Sequence, residues 1–235
     1  MRFYRGILIS DNQAENVKEE MLKNGVLGEK ESACYVHNMK DKLTAYFENI
    51  NLSLKITRPS VRVDDKSGFH TEYLDSDICI YCSGDLNTAA FYANRERQYS
   101  HKIIEAPLVV EFEANLEDVH IDSRDFLATC FSTFRITNVD VLTRLFGKKI
   151  LDYYDKAKKS NNSDYAFAML DLACQDSDIV LAHYNNKDYI EGRYHVNFVS
   201  SFTVKAPIKK ESIIDVYAKE YDNNHTISIS INDVR

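Results

Sequence analysis

The chain has 235 residues, of which 44% are hydrophobic and 28% charged, with only 7 Gly and 3 Pro. A globular chain of this length buries roughly 70% of its unfolded surface, and its composition excludes intrinsic disorder, collagen-like repeats and disulfide miniproteins. Its 29 Lys and Arg against 36 Asp and Glu give a net charge of −7, a balance that favours solubility and argues against nonspecific nucleic-acid binding through a broadly basic surface.

The scarcity of linker residues predicts one domain over residues 1–235, with a helical insertion at about 124–176. The opening Met1-Arg2-Phe3-Tyr4-Arg5-Gly6-Ile7 is too short an apolar run for a signal peptide, because polar residues resume at Ser10. No stretch approaches the roughly 18 apolar residues of a membrane span. The five cysteines (Cys34, Cys79, Cys82, Cys130, Cys174) are odd in number and scattered, which suits a reducing cytoplasm.

In chain order, residues 2–9 read as a strand, and Ser10 with Gln13 reads as a capping box for a helix through Val17, Met21 and Leu22, closed by Asn24-Gly25. A second helix is predicted from His37 to Asn49 and a strand from Leu52 to Ile56, with an irregular stretch around Arg58-Pro59 and Asp64 to Gly68. Ile78 to Cys82 reads as a strand, Asp85 to about Arg97 as a helix, and Leu108 to Glu113, after Pro107, as another strand. Asp125 to Lys158 is predicted mostly helical, with Val141, Leu142, Leu145, Phe146, Ile150 and Tyr154 on one apolar face. A polar loop from Lys158 to Ser163 and a helix from Tyr165 to Cys174 follow. Beyond residue 178, Ile179 to Tyr184, Val196 to Val204, Ile213 to Ala218 and Thr226 to Ile231 read as strands, with a turn at Asp222-Asn223-Asn224 joining the last two. Strands at both ends with helices between predict an α+β fold.

Familiar chemical motifs are absent. Cys79-x-x-Cys82 lies in an apolar strand that sends its two cysteines to opposite faces, and no second Cys or His pair accompanies it. The seven histidines form no HExxH or HxH, and the chain carries no P-loop, G-x-G-x-x-G or G-x-S-x-G. Three constellations remain. Tyr4-Arg5-Gly6 puts a cation and a glycine on a core strand; Arg there needs a partner, and Gly permits close approach to the backbone. Tyr81-Cys82-Ser83-Gly84-Asp85 ends a strand in small polar residues before a helix carrying Ala89, Ala90, Tyr92 and Ala93. Asp188-Tyr189-Ile190-Glu191-Gly192-Arg193 sets a carboxylate at the lip of a strand. Taken singly, each has a bland reading: a paired edge arginine, ordinary helix–strand packing, a surface glutamate.

Together and in this order, they resemble the ADP-ribosyltransferase family, which includes poly-ADP-ribose polymerase catalytic domains and bacterial ADP-ribosylating toxins. Tyr4-Arg5-Gly6 looks like the family's first motif, Tyr81 and Ser83 with Ala90-Phe91-Tyr92-Ala93 like its second, and Glu191 like its third. The likeness implies a split β-sheet core with inserted helices and NAD as the substrate split at its nicotinamide–ribose bond. It implies that Glu191 stabilises the developing ribose cation, Arg5 pairs with phosphate or ribose oxygens, Gly6 grips the carboxamide through its backbone, Tyr81 or Tyr92 stacks on the nicotinamide, and Ser83 holds Arg5 or the ribose, with Tyr4 beside them. Glu111-Phe112-Glu113 offers a second candidate carboxylate.

Tyr189 stands where arginine-directed and Rho-directed toxins of the family carry Glu or Gln, which favours a nucleic-acid acceptor over a protein. Arg95, Arg97, Lys102, Arg124, Arg135, Arg144, Lys148 and Lys149, with Tyr99, Phe126, Phe131 and Phe134 for stacking, are candidates for a basic acceptor face or, equally, a solvated helix surface. The family likeness further implies a cytoplasmic toxin or phage-defence effector with a neutralising antitoxin partner. The rival readings are a non-catalytic α+β module whose 15 tyrosines recognise a protein, transfer to a protein acceptor, and a metal-independent nuclease toxin.

Overall fold

A computed structural model describes residues 1–28, 53–57, 60–65, 68–73, 79–94, 105–123, 126–133, 138–160, 163–192 and 197–234. The predicted second helix at 37–49 lies outside these residues.

Strand β1 (Arg2–Ser10) opens the chain, and a short 3-10 turn (Asp11–Gln13) leads into α1 (Ala14–Asn24). The capping box is not formed, because Gln13 is the cap residue and its side chain makes no capping bond. The predicted stop is formed: Gly25 takes φ +84° and its N–H donates to the Met21 carbonyl, a backbone state that glycine adopts without strain. The stretch after residue 57, predicted irregular, instead continues from β2 (Ser53–Thr57) into β3 (Ser60–Asp65) and β4 (Gly68–Tyr73), an antiparallel meander.

β5 (Cys79–Cys82) precedes α2 (Leu86–Asn94). β6 (Glu105–Glu113) starts three residues earlier than predicted and includes Pro107, whose carbonyl accepts from the Lys219 N–H. β7 (Val119–Ile121) follows, and then five helices: α3 (Phe126–Thr133), α4 (Val139–Phe146), α5 (Ile150–Ser160), α6 (Ser163–Gln175) and α7 (Ser177–Tyr184). Leu142, Leu145, Phe146, Ile150 and Tyr154 are buried as their spacing predicts; each large apolar side chain removed from water contributes about 1.5–3 kcal/mol.

Helix α7 overturns the strand predicted at Ile179 to Tyr184. β-branched residues there suggest a strand, but Asp176 caps a helix start by accepting from the Asp178 N–H, and Ile179, Val180 and His183 point into the core. The closing strands are short: β8 (Ile190–Glu191), β9 (Asn197–Phe198), β10 (Phe202–Lys205), β11 (Ile213–Ala218) and β12 (Ile229–Ser230). The alternating run Thr226 to Ile231 supplies only two paired residues, and the turn at Asp222 joins no hairpin, since β12 pairs with β8 in parallel rather than with β11.

Three further small sheets join the meander, in the orders β1-β6-β11, β5-β10-β7 and β12-β8-β9. The molecule is therefore α+β. The first two of these sheets touch where Tyr4 bridges Ser83, and behind that seam Phe3, Phe112, Phe202 and Tyr184 pack ring against ring, with Phe3 centroids 5.5–6.0 Å from the other three. Cys79 is disulfide-bonded, whereas Cys82, Cys130 and Cys174 are buried free thiols, so the cysteines are not uniformly the reduced set predicted. Among the described residues no helix is long and apolar enough to cross a membrane.

Candidate active-site cleft

The site grows out of a mismatch between two strands. β1 is paired along one edge with β6, in the register Tyr4↔Glu111 and Gly6↔Val109. Along its other edge it makes one bridge: Tyr4 and Ser83 exchange two backbone hydrogen bonds of 2.8 Å each. Antiparallel alternation puts the N–H and C=O of Gly6 on the same edge as those of Tyr4. Beyond Ser83 no strand covers that edge among the described residues. Arg5 enters the opening and donates from Nη1 to the Tyr81 carbonyl at 3.3 Å.

The result is a cleft of about 640 Å³, within the range of small-molecule sites. Its walls include Tyr4, Arg5, Gly6, Tyr81, Ser83 and Tyr92, six of the seven site residues named from sequence, together with Val17 and Met21 of α1 and with Cys82, Asp122 and Ser201. Glycine is required at position 6 because a Cβ there would stand 1.9 Å from the Ala89 carbonyl oxygen and 2.7 Å from the Ala93 nitrogen. The space vacated by the missing side chain is thus filled by helix α2 rather than by a ligand, and what Gly6 offers the cleft is its peptide edge.

Ser83 is nearly fully buried; its Oγ donates to the Ser200 carbonyl at 2.6 Å and accepts from the Asp85 N–H at 3.0 Å. Asp85 in turn caps α2, accepting from the Thr88 N–H and hydroxyl. Burial pushes the Cys82 thiol well above its usual range, so it forms a neutral wall. Tyr4 is also raised, first by burial and then by Glu111.

Glu191 lies elsewhere. It sits half-buried on β8, opposite Asn197 and Ser230, and no residue of that sheet lines the cleft. Tyr189 stacks on His225 with ring centroids 4.0 Å apart and accepts a hydrogen bond from Asn87. Glu111 is engaged on the first sheet, in an ion pair with Arg2 at 3.0 Å and accepting from the Tyr217 hydroxyl at 3.1 Å.

The acceptor face fares less well. Phe126 and Phe131 are core residues with no surface for base stacking. Arg144 pairs with Asp188, and Lys149 pairs with Asp176 and Asp178. Arg95, Arg97, Tyr99, Lys102, Arg124, Phe134 and Arg135 lie outside the residues, or the side chains, described.

Sequence reasoning missed Asp122 and Ser201. The sequence reading places no element at Asp122, between the strand ending at Glu113 and the helical region from Asp125, and Ser201 falls inside what reads as one continuous strand from Val196 to Val204, which in fact breaks at residues 199–201. No family model, no curated protein and no solved structure matches this chain.

Proposed function

We propose that the chain is an NAD-dependent ADP-ribosyltransferase acting on a macromolecular acceptor. The observation that carries this reading is the convergence of Tyr4, Arg5, Gly6, Tyr81, Ser83 and Tyr92, drawn from two separated stretches of sequence, on one cleft beside a strand edge that no strand covers among the described residues. A dinucleotide needs what this cleft offers. The Gly6 N–H and C=O match the acceptor and donor of a carboxamide. The Arg5 guanidinium suits phosphate or ribose oxygens. The rings of Tyr81 and Tyr92 give flat surfaces for the nicotinamide.

Nucleic acid is the acceptor class that the sequence likeness favours; Tyr189, on which that preference turns, lies off the cleft against His225 and adds no argument for it. Incubation of the purified chain with NAD labelled in its adenylate half, and with separate pools of protein, RNA and DNA, tests the reading. Label is expected in a nucleic-acid pool. Label in protein alone reverses the acceptor assignment, and label in no pool with NAD unconsumed contradicts the function.

A further inference from the structure

We infer that Asp122, rather than Glu191 or Glu111, is the carboxylate that faces the reacting ribose in this cleft. The inference rests on the proposed transfer reaction and deepens it.

Cross-strand register places the group. Phe202 of β10 stands opposite Cys82 of β5 on one side and Ile121 of β7 on the other. One step further along, the same register brings Ser83, Ser201 and Asp122 into a row across the mouth of this sheet, and the Asp122 N–H donating to the Ser201 carbonyl at 3.0 Å continues the ladder. Ser83 is also the residue bridged to Tyr4. The row therefore runs from the seam between the two sheets, next to Arg5, to the carboxylate.

Among the described residues lining the cleft, Asp122 is the one carboxylate and Arg5 the one cation. Both lie close enough to the Cys82 thiol to act on it, with opposite sign. A cation and an anion lining one cleft, with the hydroxyl side chains of Ser83 and Ser201 among its other walls, suit a substrate whose phosphates are negative and whose ribose becomes positive as it reacts.

Asp122 is also held in place. The Ser201 hydroxyl lies 3.5 Å from Asp122 Oδ2, and the Ser201 N–H donates to His183 Nε2 at 3.2 Å. Because Nε2 accepts, the imidazole proton resides on Nδ1, 3.3 Å from the Leu145 carbonyl. Helix α7 thus fixes the backbone at Ser201, and Ser201 fixes Asp122.

In the step itself, the bond between ribose C1 and the nicotinamide nitrogen breaks, its electron pair leaves on the nitrogen, and neutral nicotinamide departs. The acceptor's nucleophile forms a new bond to the same carbon and releases its proton to water. The Asp122 carboxylate stabilises the positive charge on the ribose, an electrostatic contribution that is large in a site partly withdrawn from solvent.

The test measures nicotinamide release from NAD, NAD-induced thermal stabilisation and circular dichroism for the parent chain, Asp122→Asn, Asp122→Glu and Glu191→Gln. Asp122→Asn is expected to lose about 100-fold or more in release while keeping its NAD-induced stabilisation, and Asp122→Glu to recover part of the loss. Asp122→Ser replaces the Asn variant should the latter fail to fold. Release within threefold of the parent in Asp122→Asn, or loss of activity in Glu191→Gln alone, overturns this assignment and leaves the transferase reading standing. So does loss of stabilisation in parallel with release, which marks a binding group. A parent chain that neither binds nor splits NAD overturns both.

Discussion

Tyr4 and Ser83 exchange two 2.8 Å backbone hydrogen bonds across residues 79 positions apart in sequence, and that single bridge decides where the cleft opens. On the Tyr4 side of the bridge the two sheets share a packed aromatic seam; past it, no strand covers the edge of β1 among the described residues. A binding site made this way depends on a few close contacts, and each of them can be tested.

Gly6→Ala should destabilise the fold rather than merely impair binding. The new methyl would overlap the Ala89 carbonyl, a backbone atom that moves only if helix α2 moves. Overpacking of this kind costs about 1–3 kcal/mol, and more where the backbone must shift. Urea unfolding should show a midpoint well below the parent's.

Ser83→Ala removes the 2.6 Å bond to the Ser200 carbonyl and the oxygen that accepts from Asp85 N–H, both beside the bridge. Leaving such groups without partners costs about 1–3 kcal/mol. Equilibrium unfolding measures the loss, and an unchanged midpoint would mean that the hydroxyl network contributes little.

Acid should weaken the fold through His183. The ring is fully buried, stacked on Phe146 with centroids 4.6 Å apart, and burial lowers its pKa from 6.5 to about 4. The unfolded imidazole takes up a proton first as pH falls, so this residue costs nothing above pH 6.5, and stability declines between 6.5 and 4 by about 3 kcal/mol. Chemical denaturation across that window should show the decline, and His183→Gln should flatten it.

Much of the framework is legible in the sequence, because it rests on local signals. The apolar run of β1, the Asn24-Gly25 stop of α1 and the helical spacing of Leu142, Leu145, Phe146, Ile150 and Tyr154 each carry their own physical reason. The misreadings share a different cause. Alternation at Ile227, Ile229 and Ile231 predicts a strand, yet of the three Ile229 alone is buried and Ile227 is exposed; among the described residues β12 pairs with the two-residue strand β8. β-branching at Ile179 and Val180 suggests a strand, but the Asp176 cap and the buried helical face prevail. Asp122 was not legible at all, because its place in the cleft comes from pairing with residues about 40 and 80 positions away, a matter of register rather than of local pattern.

Arg5 offers a cleaner probe of binding than of folding. Arg5→Ala removes the one cleft-lining guanidinium among the described residues, and a lost charge-assisted hydrogen bond of about 1.5–3 kcal/mol lowers affinity roughly 10- to 150-fold. Calorimetric titration with NAD should show that loss, and Arg5→Lys should restore only part of it, because an ammonium lacks the forked geometry.

The most direct test of the central claim is the melting temperature of the purified chain with and without NAD. At 100 times its dissociation constant a ligand adds about 2.7 kcal/mol, which for a chain of this size raises the melting temperature by about 5–10 °C. The cleft described here predicts that rise in the parent chain and a rise of about half that or less in Arg5→Ala at the same NAD concentration. Identical melting curves for the parent with and without saturating NAD would contradict it.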